Sequence, residues 1–353
     1  MKISIISFTE KGIVLSEKIA KLLGEAESVL YTKYGECCKE RTTAQYVTQN
    51  IGEWAKEQFE ERNALLFIGA CGIAVRAIAP HITDKLHDSP VLVMDENGQY
   101  VIPILSGHVG GANELAFSIA KKIGAESVIT TATDINNKFA IDLFAKKNGL
   151  TIVNKEGIAR VSSKALAGKS IIISVENGHL GKNIDLPKGI ELAEYPPSQK
   201  VDVVITTENK EFETALFLRP KEYVIGLGCR KGKEAEKIEA FIMRNLQEAG
   251  ISLSQVFKMA SIDVKRNEPG LLVWSQKERI PFMTYTAEEL MCVEGDFHKS
   301  EFVREQVGVD NVCERAALKV CEPVGNLIYG KHAEDGMTIA IAKRDWRVNF
   351  DEE

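Results

Sequence analysis

Short apolar runs alternate with amphipathic helical segments through the first half of the chain, and this alternation constrains the fold most strongly. Residues 2–7 and 64–68 are predicted strands, the second without a polar residue, and residues 13–23 place apolar side chains on one helical face. A fully apolar strand is typical of a parallel sheet covered on both faces. The pattern predicts an α/β fold with a Rossmann-like, mostly parallel sheet in the N-terminal region.

Further elements follow, and a second region begins after proline-containing breaks. Strands are predicted at 91–95, 100–105, 128–131, 170–175, 201–206, 223–228 and 337–342, and helices at 112–123, 137–147 and 233–249. A turn at 96–98 makes the 91–95 and 100–105 strands a hairpin. Residues 183–200, with three prolines, are interpreted as an irregular connection, and Arg219-Pro220 as a break. We therefore predict an N-terminal α/β region over 1–219 and a separate, smaller α/β C-terminal domain over 220–353. A division of the first region into lobes 1–137 and 138–219 stays open.

Composition and charge exclude several classes of protein. The 353 residues include 50 acidic and 44 basic ones, a net charge of -6, which gives no bulk field for nucleic acid or anionic membranes. No apolar stretch reaches membrane-spanning length and the start predicts a strand rather than a secretion signal, so we expect a cytoplasmic protein without membrane or nucleic-acid partners. Seven cysteines without CxxC spacing, among them the adjacent Cys37 and Cys38, predict reduced thiols. His81 and His87 lack further ligands at metal-binding spacing, so no metal site is predicted.

The first candidate site follows the strand at 64–68. Gly69 and Gly72 permit close backbone approach, and Arg76 is expected on the first turn of the following helix, where an anion can bind the helix amides. The alternative is tight strand–helix packing with Arg76 in a structural ion pair. Cys71 has no assignable histidine partner and is expected to be a small core residue.

The second candidate site is the densest. Ser106, Gly107, His108, Gly110, Gly111, Asn113 and Glu114 run from a strand end into a helix. The glycines leave backbone amides bare, and the imidazole and the carboxylate exchange protons. The alternative is a glycine-rich turn that the histidine only braces.

Two further junctions carry polar groups. Thr131, Thr133 and Asp134 suit either a polar substrate or the capping of a helix from 137. Cys229, Arg230 and Lys231 form a basic turn before a helix, which is either an anion contact or a solvated loop. The turn fails the P-loop pattern, and the glycine clusters are not GxGxxG, which disfavours nucleotide binding.

These segments together resemble the cobalt-precorrin-5A hydrolase family of anaerobic cobalamin biosynthesis. The motifs are GIAVRAIAP at 72–80, Asp84-Lys85, DSPV at 88–91, SGHVGGANEL at 106–115 and ITTATD at 129–134. GLGCR at 226–230, SIDVK at 261–265 and the stretch 281–290 resemble a small domain that the family shares with a protein of the aerobic route. Ser89 departs from the expected pattern, because it separates an aspartate from a proline that otherwise adjoin.

The resemblance implies an enzyme that opens the ring A acetate δ-lactone of cobalt-precorrin-5A and expels C20 with its methyl group as acetaldehyde. Cobalt would arrive with the substrate, so no separate cofactor is expected, and neighbouring pathway enzymes are further candidate partners. We interpret His108 as the catalytic base, Asp134 or Glu114 as its orienting group, and the glycine amides as oxyanion donors.

Carboxylates of the macrocycle would be held in a cleft between the two domains. The predicted substrate contacts are Gly72, Arg76, Ser106, Gly107, Gly110, Gly111, Asn113, Thr131, Thr133, Cys229, Arg230 and Lys231. A noncatalytic corrinoid carrier and, less favoured, a nucleotide-dependent α/β enzyme are the alternatives.

Overall fold

The computed structural model describes residues 2–24, 28–35, 42–84, 88–136, 138–181 and 184–350. The chain divides into two compact units between Lys138 and Phe139. The predictions made for Cys37, Cys38, Lys85 and His87 concern residues outside the described ranges. None of the helices in those ranges combines the length and apolar character that crossing a membrane requires.

The first unit contains a seven-stranded sheet. Its strands are β1 (Ile3–Ser7), β2 (Ser28–Thr32), β3 (Gln45–Tyr46), β4 (Ala64–Ile68), β5 (Val91–Met94), β6 (Tyr100–Leu105) and β7 (Glu126–Ser127). Its helices are α1 (Glu10–Leu23), α2 (Ile51–Glu60), α3 (Cys71–Ile78), α4 (Ala112–Ile123) and α5 (Ala132–Ile135). The strand order is β3-β2-β1-β4-β5-β6-β7, and neighbours are parallel except for the antiparallel β5–β6 pair.

Alternation along β4 explains why helices cover both faces of this sheet. Leu66 and Ile68 pack with residues of α1 and α4, whereas Leu65 and Phe67 pack with residues of α2 and α3. All four side chains are buried. Because successive side chains of a strand point to opposite faces, a strand without polar residues needs cover on both sides. The Rossmann-like, mostly parallel N-terminal sheet is confirmed.

The second unit contains two five-stranded sheets. The middle sheet has the order β10-β9-β11-β12-β8 and the last sheet β15-β14-β13-β17-β16. The strands are β8 (Leu150–Ile152), β9 (Ile171–Val175), β10 (Ile190–Ala193), β11 (Val201–Ile205), β12 (Thr214–Pro220), β13 (Tyr223–Cys229), β14 (Val256–Ile262), β15 (Phe282–Tyr285), β16 (Gly325–Glu334) and β17 (Met337–Arg344). The helices are α6 (Ile141–Lys147), α7 (Glu156–Leu166), α8 (Ala235–Glu248), α9 (Pro269–Glu278), α10 (Ala287–Met291), α11 (Glu301–Val307) and α12 (Val312–Cys321). Arg219 and Pro220, where a break is predicted, are the last two residues of β12, and two further residues separate this strand from β13.

Helices cover the last sheet on two faces. Ile225 and Leu227 of β13 pack with residues of α8 and α9, whereas Val224 packs with Ala317 of α12. Gly226 permits this packing, because a Cβ atom there would overlap the carbonyl group of Cys313 at the start of α12. The predicted α/β C-terminal region is confirmed, with β13 in parallel pairing to β14 and antiparallel pairing to β17.

Three predicted elements are wrong in their bounds. The strand predicted at 128–131 is only Glu126–Ser127. Its pairing with β6 stops after the Val128 amide donates to the Val101 carbonyl, because Pro103 has no N–H to continue the parallel ladder. The helix predicted from 137 begins at Ile141. The connection predicted over 183–200 contains β10, which pairs with β9.

Candidate functional site

A polar cluster lies beyond the carboxyl ends of β6 and β7. His108 Nε2 lies 3.0 Å from Asp134 Oδ2 and 3.2 Å from Thr133 Oγ1. The amide nitrogen of Asn113 donates to the same Asp134 oxygen at 2.6 Å and to Thr131 Oγ1 at 3.1 Å. The His108 side chain is 12% exposed and the Asp134 side chain 33% exposed, so the pair is partly accessible to solvent. The cluster joins the two densest polar junctions predicted from the sequence.

The Asp134 carboxylate faces one nitrogen of the imidazole ring, Nε2. When Nε2 carries the ring proton, it donates a hydrogen bond to that carboxylate. This contact holds the ring in one orientation, as carboxylates beside catalytic histidines do in other enzymes. Of the two carboxylates predicted to orient His108, Asp134 makes this contact. Glu114 is exposed on the first turn of α4 and makes no hydrogen bond with either residue of the pair.

The loop between β6 and α4 is tightly folded. Ser106 adopts a left-handed conformation with φ of 56°, and its hydroxyl donates to the Asp88 carbonyl at 3.0 Å. A Cβ atom on Gly110 would overlap Ser106, and one on Gly107 would lie 2.6 Å from Asn113 Oδ1. Glycine is therefore required at both positions by space, because the loop folds back on itself.

Part of the loop backbone is available for a ligand. The amides of residues 111, 112 and 113 donate to carbonyls of the same loop. The amides of Gly107, Val109 and Gly110 make no hydrogen bond within the described part of the chain. These are the donors from which an oxyanion contact can be built.

The threonines of the third junction do not cap a helix. Neither α5, which follows Thr131, nor α6 has a side-chain capping hydrogen bond at its first residue. Thr131 instead accepts from Asn113, and Thr133 is buried against His108. The capping interpretation is therefore wrong, because these side chains are directed at the cluster.

Gly72 and Arg76 lie at the opposite ends of the strands of the same sheet. β6 is antiparallel to β5, and β5 is parallel to β4, so the carboxyl end of β4 is remote from that of β6. Arg76 lies in the last turn of α3 rather than the first, as residue spacing from Cys71 dictates. Its guanidinium nevertheless folds back to within 3.5 Å of the Cβ position of Gly72. No ion pair of Arg76 occurs among the described residues, and Cys71 is exposed, contrary to the predicted core position.

Cys229 and Arg230 line a cavity of about 450 Å³ in the second unit. It opens at the carboxyl ends of the parallel strands β13 and β14, where ligands of open α/β sheets bind. Ile262, Val264 and Lys265, from the second C-terminal motif, line it as well. Lys231 is exposed and is not among the lining residues. Lys331 and Thr338 also line the cavity; no motif marks them, because they reach it from β16 and β17 through antiparallel pairing.

The comparisons with known proteins cover nearly the whole chain. Residues 53–134 match the family model described as cobalamin synthesis G N-terminal, residues 139–220 the cobalamin biosynthesis central region, and residues 223–342 the cobalamin synthesis G C-terminus. The His108 cluster lies in the first match and the cavity in the third. Fold and matches together define a cobalamin-biosynthesis protein of the G type.

Curated relatives give the family. A cobalt-precorrin-5A hydrolase from Salmonella typhimurium is 33% identical over 81% of this chain and 84% of its own length. One from Priestia megaterium is 29% identical over 96% of this chain and 94% of its own length. Protein CobE from a Sinorhizobium species is 32% identical over 34% of this chain and 78% of its own length. The chain belongs to the cobalt-precorrin-5A hydrolase family, as its motifs predict, and is an enzyme of cobalamin biosynthesis.

Proposed function

We propose that this chain hydrolyses the ring A acetate δ-lactone of cobalt-precorrin-5A and releases C20 with its methyl group as acetaldehyde, giving cobalt-precorrin-5B. The observation that carries the proposal is the His108–Asp134 pair beside a loop in which the amides of Gly107, Val109 and Gly110 make no hydrogen bond to any described residue. Lactone hydrolysis needs a base for water and donors for a tetrahedral oxyanion, and this loop supplies both kinds of group.

In the first step, the His108 imidazole takes a proton from water as the water oxygen attacks the lactone carbonyl. Amides of Gly107, Val109 and Gly110 are the candidate donors to the oxyanion. Collapse of the tetrahedral intermediate leaves the water oxygen on the ring A carboxylate and the lactone oxygen on C20, where that oxygen takes the proton from the His108 imidazolium and becomes a hydroxyl. Asp134 stabilises the imidazolium that forms.

In the second step, the C20 hydroxyl loses its proton and its oxygen becomes the aldehyde oxygen of acetaldehyde. The bond between C20 and the ring carbon breaks, and its electron pair stays in the conjugated macrocycle, which accepts a proton. One water is consumed and no oxidant or reductant is needed. In this proposal cobalt belongs to the substrate, and no further cofactor is assigned.

The test is acetaldehyde release by the purified chain incubated with cobalt-precorrin-5A. We expect one acetaldehyde per substrate. His108→Asn should lower kcat by about 10² to 10⁴, with substrate affinity near that of the wild type, because a general base acts in the transition state. His81→Asn is the matched control, since His81 is a half-buried histidine of the same unit that contacts the Gly52 carbonyl instead.

Three results would contradict parts of the proposal. Wild-type protein that binds the substrate but releases no acetaldehyde would favour the corrinoid carrier. A rate loss in Glu114→Gln with full activity in His108→Asn would show that Glu114, and not His108, is the general base. Equal losses in His108→Asn and His81→Asn would indicate a general effect on folding rather than catalysis.

A further inference from the structure

Two cations that line the cavity beside Cys229 make no ion pair with any acid of the described residues. Lys265 pairs with Glu268, and the acidic lining residues Asp335 and Glu334 pair with Lys233 and Arg244, respectively. Arg230 and Lys331 also line the cavity, and within the described residues neither makes an ion pair. The local charge balance therefore favours an anion, although the whole chain is negative.

A β-bulge brings Lys331 to this position. Between Tyr329 and His332, two residues of β16 stand opposite Ala340 alone on β17. Bulges of this kind redirect a side chain relative to the regular pleat. The Lys331 amide donates to Glu314 Oε1 at 2.8 Å, which anchors the bulge to α12.

The Glu314 carboxylate is held in place by further hydrogen bonds. Its carboxylate is fully buried and also accepts from the His298 ring at 2.8 Å and the His298 amide at 3.0 Å. Burial alone raises the pKa of Glu314, but the hydrogen bonds from His298 and the Lys331 amide outweigh it and hold the pKa below its usual range. The charged carboxylate is thus the stable form at neutral pH, and it holds the Lys331 bulge and the first turn of α12 together.

The remaining lining is largely apolar, which narrows the class of ligand. The walls include aliphatic side chains of β14, α11 and the segments beside them, namely Ile262, Val264, Val303, Val307 and Met337. An apolar body with carboxylates at its edge matches this combination better than a free inorganic anion does. A tetrapyrrole with its acid side chains exceeds about 450 Å³, so only one edge can enter.

We infer that this cavity is a substrate subsite in which Lys331 and Arg230 bind acetate or propionate carboxylates of one macrocycle edge, while the aliphatic walls contact the ring methyl groups. The inference rests on the proposed function for the identity of the macrocycle. It adds Lys331 as a carboxylate-binding residue and Glu314 as its positioning residue.

The test compares two corrinoids on the full chain. Dicyanocobyrinic acid carries carboxylates where dicyanocobinamide carries amides, and the cyanide ligands keep thiols from the cobalt. We expect saturable binding of the acid, weakened about tenfold or more in Lys331→Gln and in Arg230→Gln, since each variant loses a charged hydrogen bond to a carboxylate. Binding of dicyanocobinamide should be weak, and neither substitution should change it. Lys277→Gln, which removes an exposed lysine outside the cavity, is the matched control and should bind as the wild type does.

Alkylation followed by mass spectrometry locates the bound acid. Cys229 lines the cavity and Cys292 is exposed elsewhere in the unit. Burial raises the pKa of the Cys229 thiol, so the reaction is run at alkaline pH. The acid should protect Cys229 and leave Cys292 reactive.

Each failure has a separate meaning. Absence of saturable binding, unchanged affinity in Lys331→Gln, or equal alkylation of Cys229 with and without the acid would overturn the subsite. Acetaldehyde release by the wild type in that case would leave the proposed function intact. Lys331-dependent binding without acetaldehyde release would support the subsite and overturn the catalytic proposal.

Discussion

Asn113 connects the predicted catalytic residues at the scale of single side chains. It is buried at the start of α4, and its amide reaches both Thr131 and Asp134. The sequence marks Asn113, His108 and Asp134 as polar residues at strand ends, and the motif resemblance groups them. Their hydrogen bonds could not be predicted, because residues 108 and 134 are brought together by the pairing of β6 with β7.

Gly110→Ala tests the requirement for a folded loop. The added methyl group would overlap Ser106 and lie 2.7 Å from its carbonyl oxygen. Because the loop must open to relieve this contact, we expect activity to fall by at least tenfold and unfolding free energy to drop by about 1–3 kcal/mol. Steady-state kinetics and urea denaturation measure the two effects.

Gly250→Ala provides the comparison for this substitution. It faces no atom within 4 Å but has a positive φ of 70°, so it tests backbone strain without overlap. It should cost about 1 kcal/mol and leave kcat unchanged. Full activity in Gly110→Ala would show that the loop geometry is not required.

The direction of β6 decides which sites belong together at the scale of elements. The hairpin prediction is correct: β5 and β6 are antiparallel, with the turn at 96–98 between them. Because β6 runs antiparallel to β5, the His108 loop lies beside the amino ends of β4 and β5. Gly72 and Arg76 follow the carboxyl end of β4, and their predicted substrate contacts stay predictions.

Asp310 and Arg315 fasten the start of α12, which packs over β13. Their side chains are about nine-tenths buried and joined at 2.8 Å, and Arg315 also donates to the Val293 carbonyl at 2.7 Å. Asp310→Asn should destabilise the second unit by about 3–5 kcal/mol, because it leaves a buried guanidinium unpaired. Chemical denaturation followed by circular dichroism measures this loss.

The same pair predicts a pH dependence. The hydrogen bond from Arg315 lowers the pKa of Asp310 despite its burial. A lowered carboxylate pKa contributes stability that is fully present above the unfolded value of about 3.9 and is lost as pH falls through the folded value. Asp310→Asn should therefore lose less stability than the wild type on acidification below about pH 4. Parallel acid-unfolding profiles would contradict the assignment.

A C-terminal strap, residues 345–350, connects the two sheets of the second unit. The Trp346 and His179 rings stack with their centroids 3.8 Å apart, and the Phe350 and Phe144 rings stack with centroids 5.0 Å apart. Val348 bridges to Leu180 beyond β9, and its amide donates to the His179 carbonyl at 2.8 Å. The apolar strap residues are buried, so the chain end completes the core of the middle sheet.

Truncation of the chain after Arg344 tests whether the strap stabilises the middle sheet. Burial of each aromatic or aliphatic side chain that is removed stabilises the fold by about 2 kcal/mol, so the middle sheet should become locally unstable. Hydrogen exchange should accelerate in 141–147 and 171–181, while β1 and β4 of the first unit provide the internal control. Unchanged exchange in 171–181 would show that the strap does not stabilise the middle sheet.

Local pattern by itself determined the element types, the α/β class and the motifs that identify the family. Apolar periodicity and glycine positions act over a few residues, so β4, α4 and the hairpin could be predicted from neighbouring residues alone. The tertiary structure decided which distant groups meet: His108 with Asp134, Lys331 with the Cys229 cavity, and Trp346 with His179. These contacts depend on strand order, strand direction and a bulge, which arise from packing between segments far apart in the chain and leave no local periodicity.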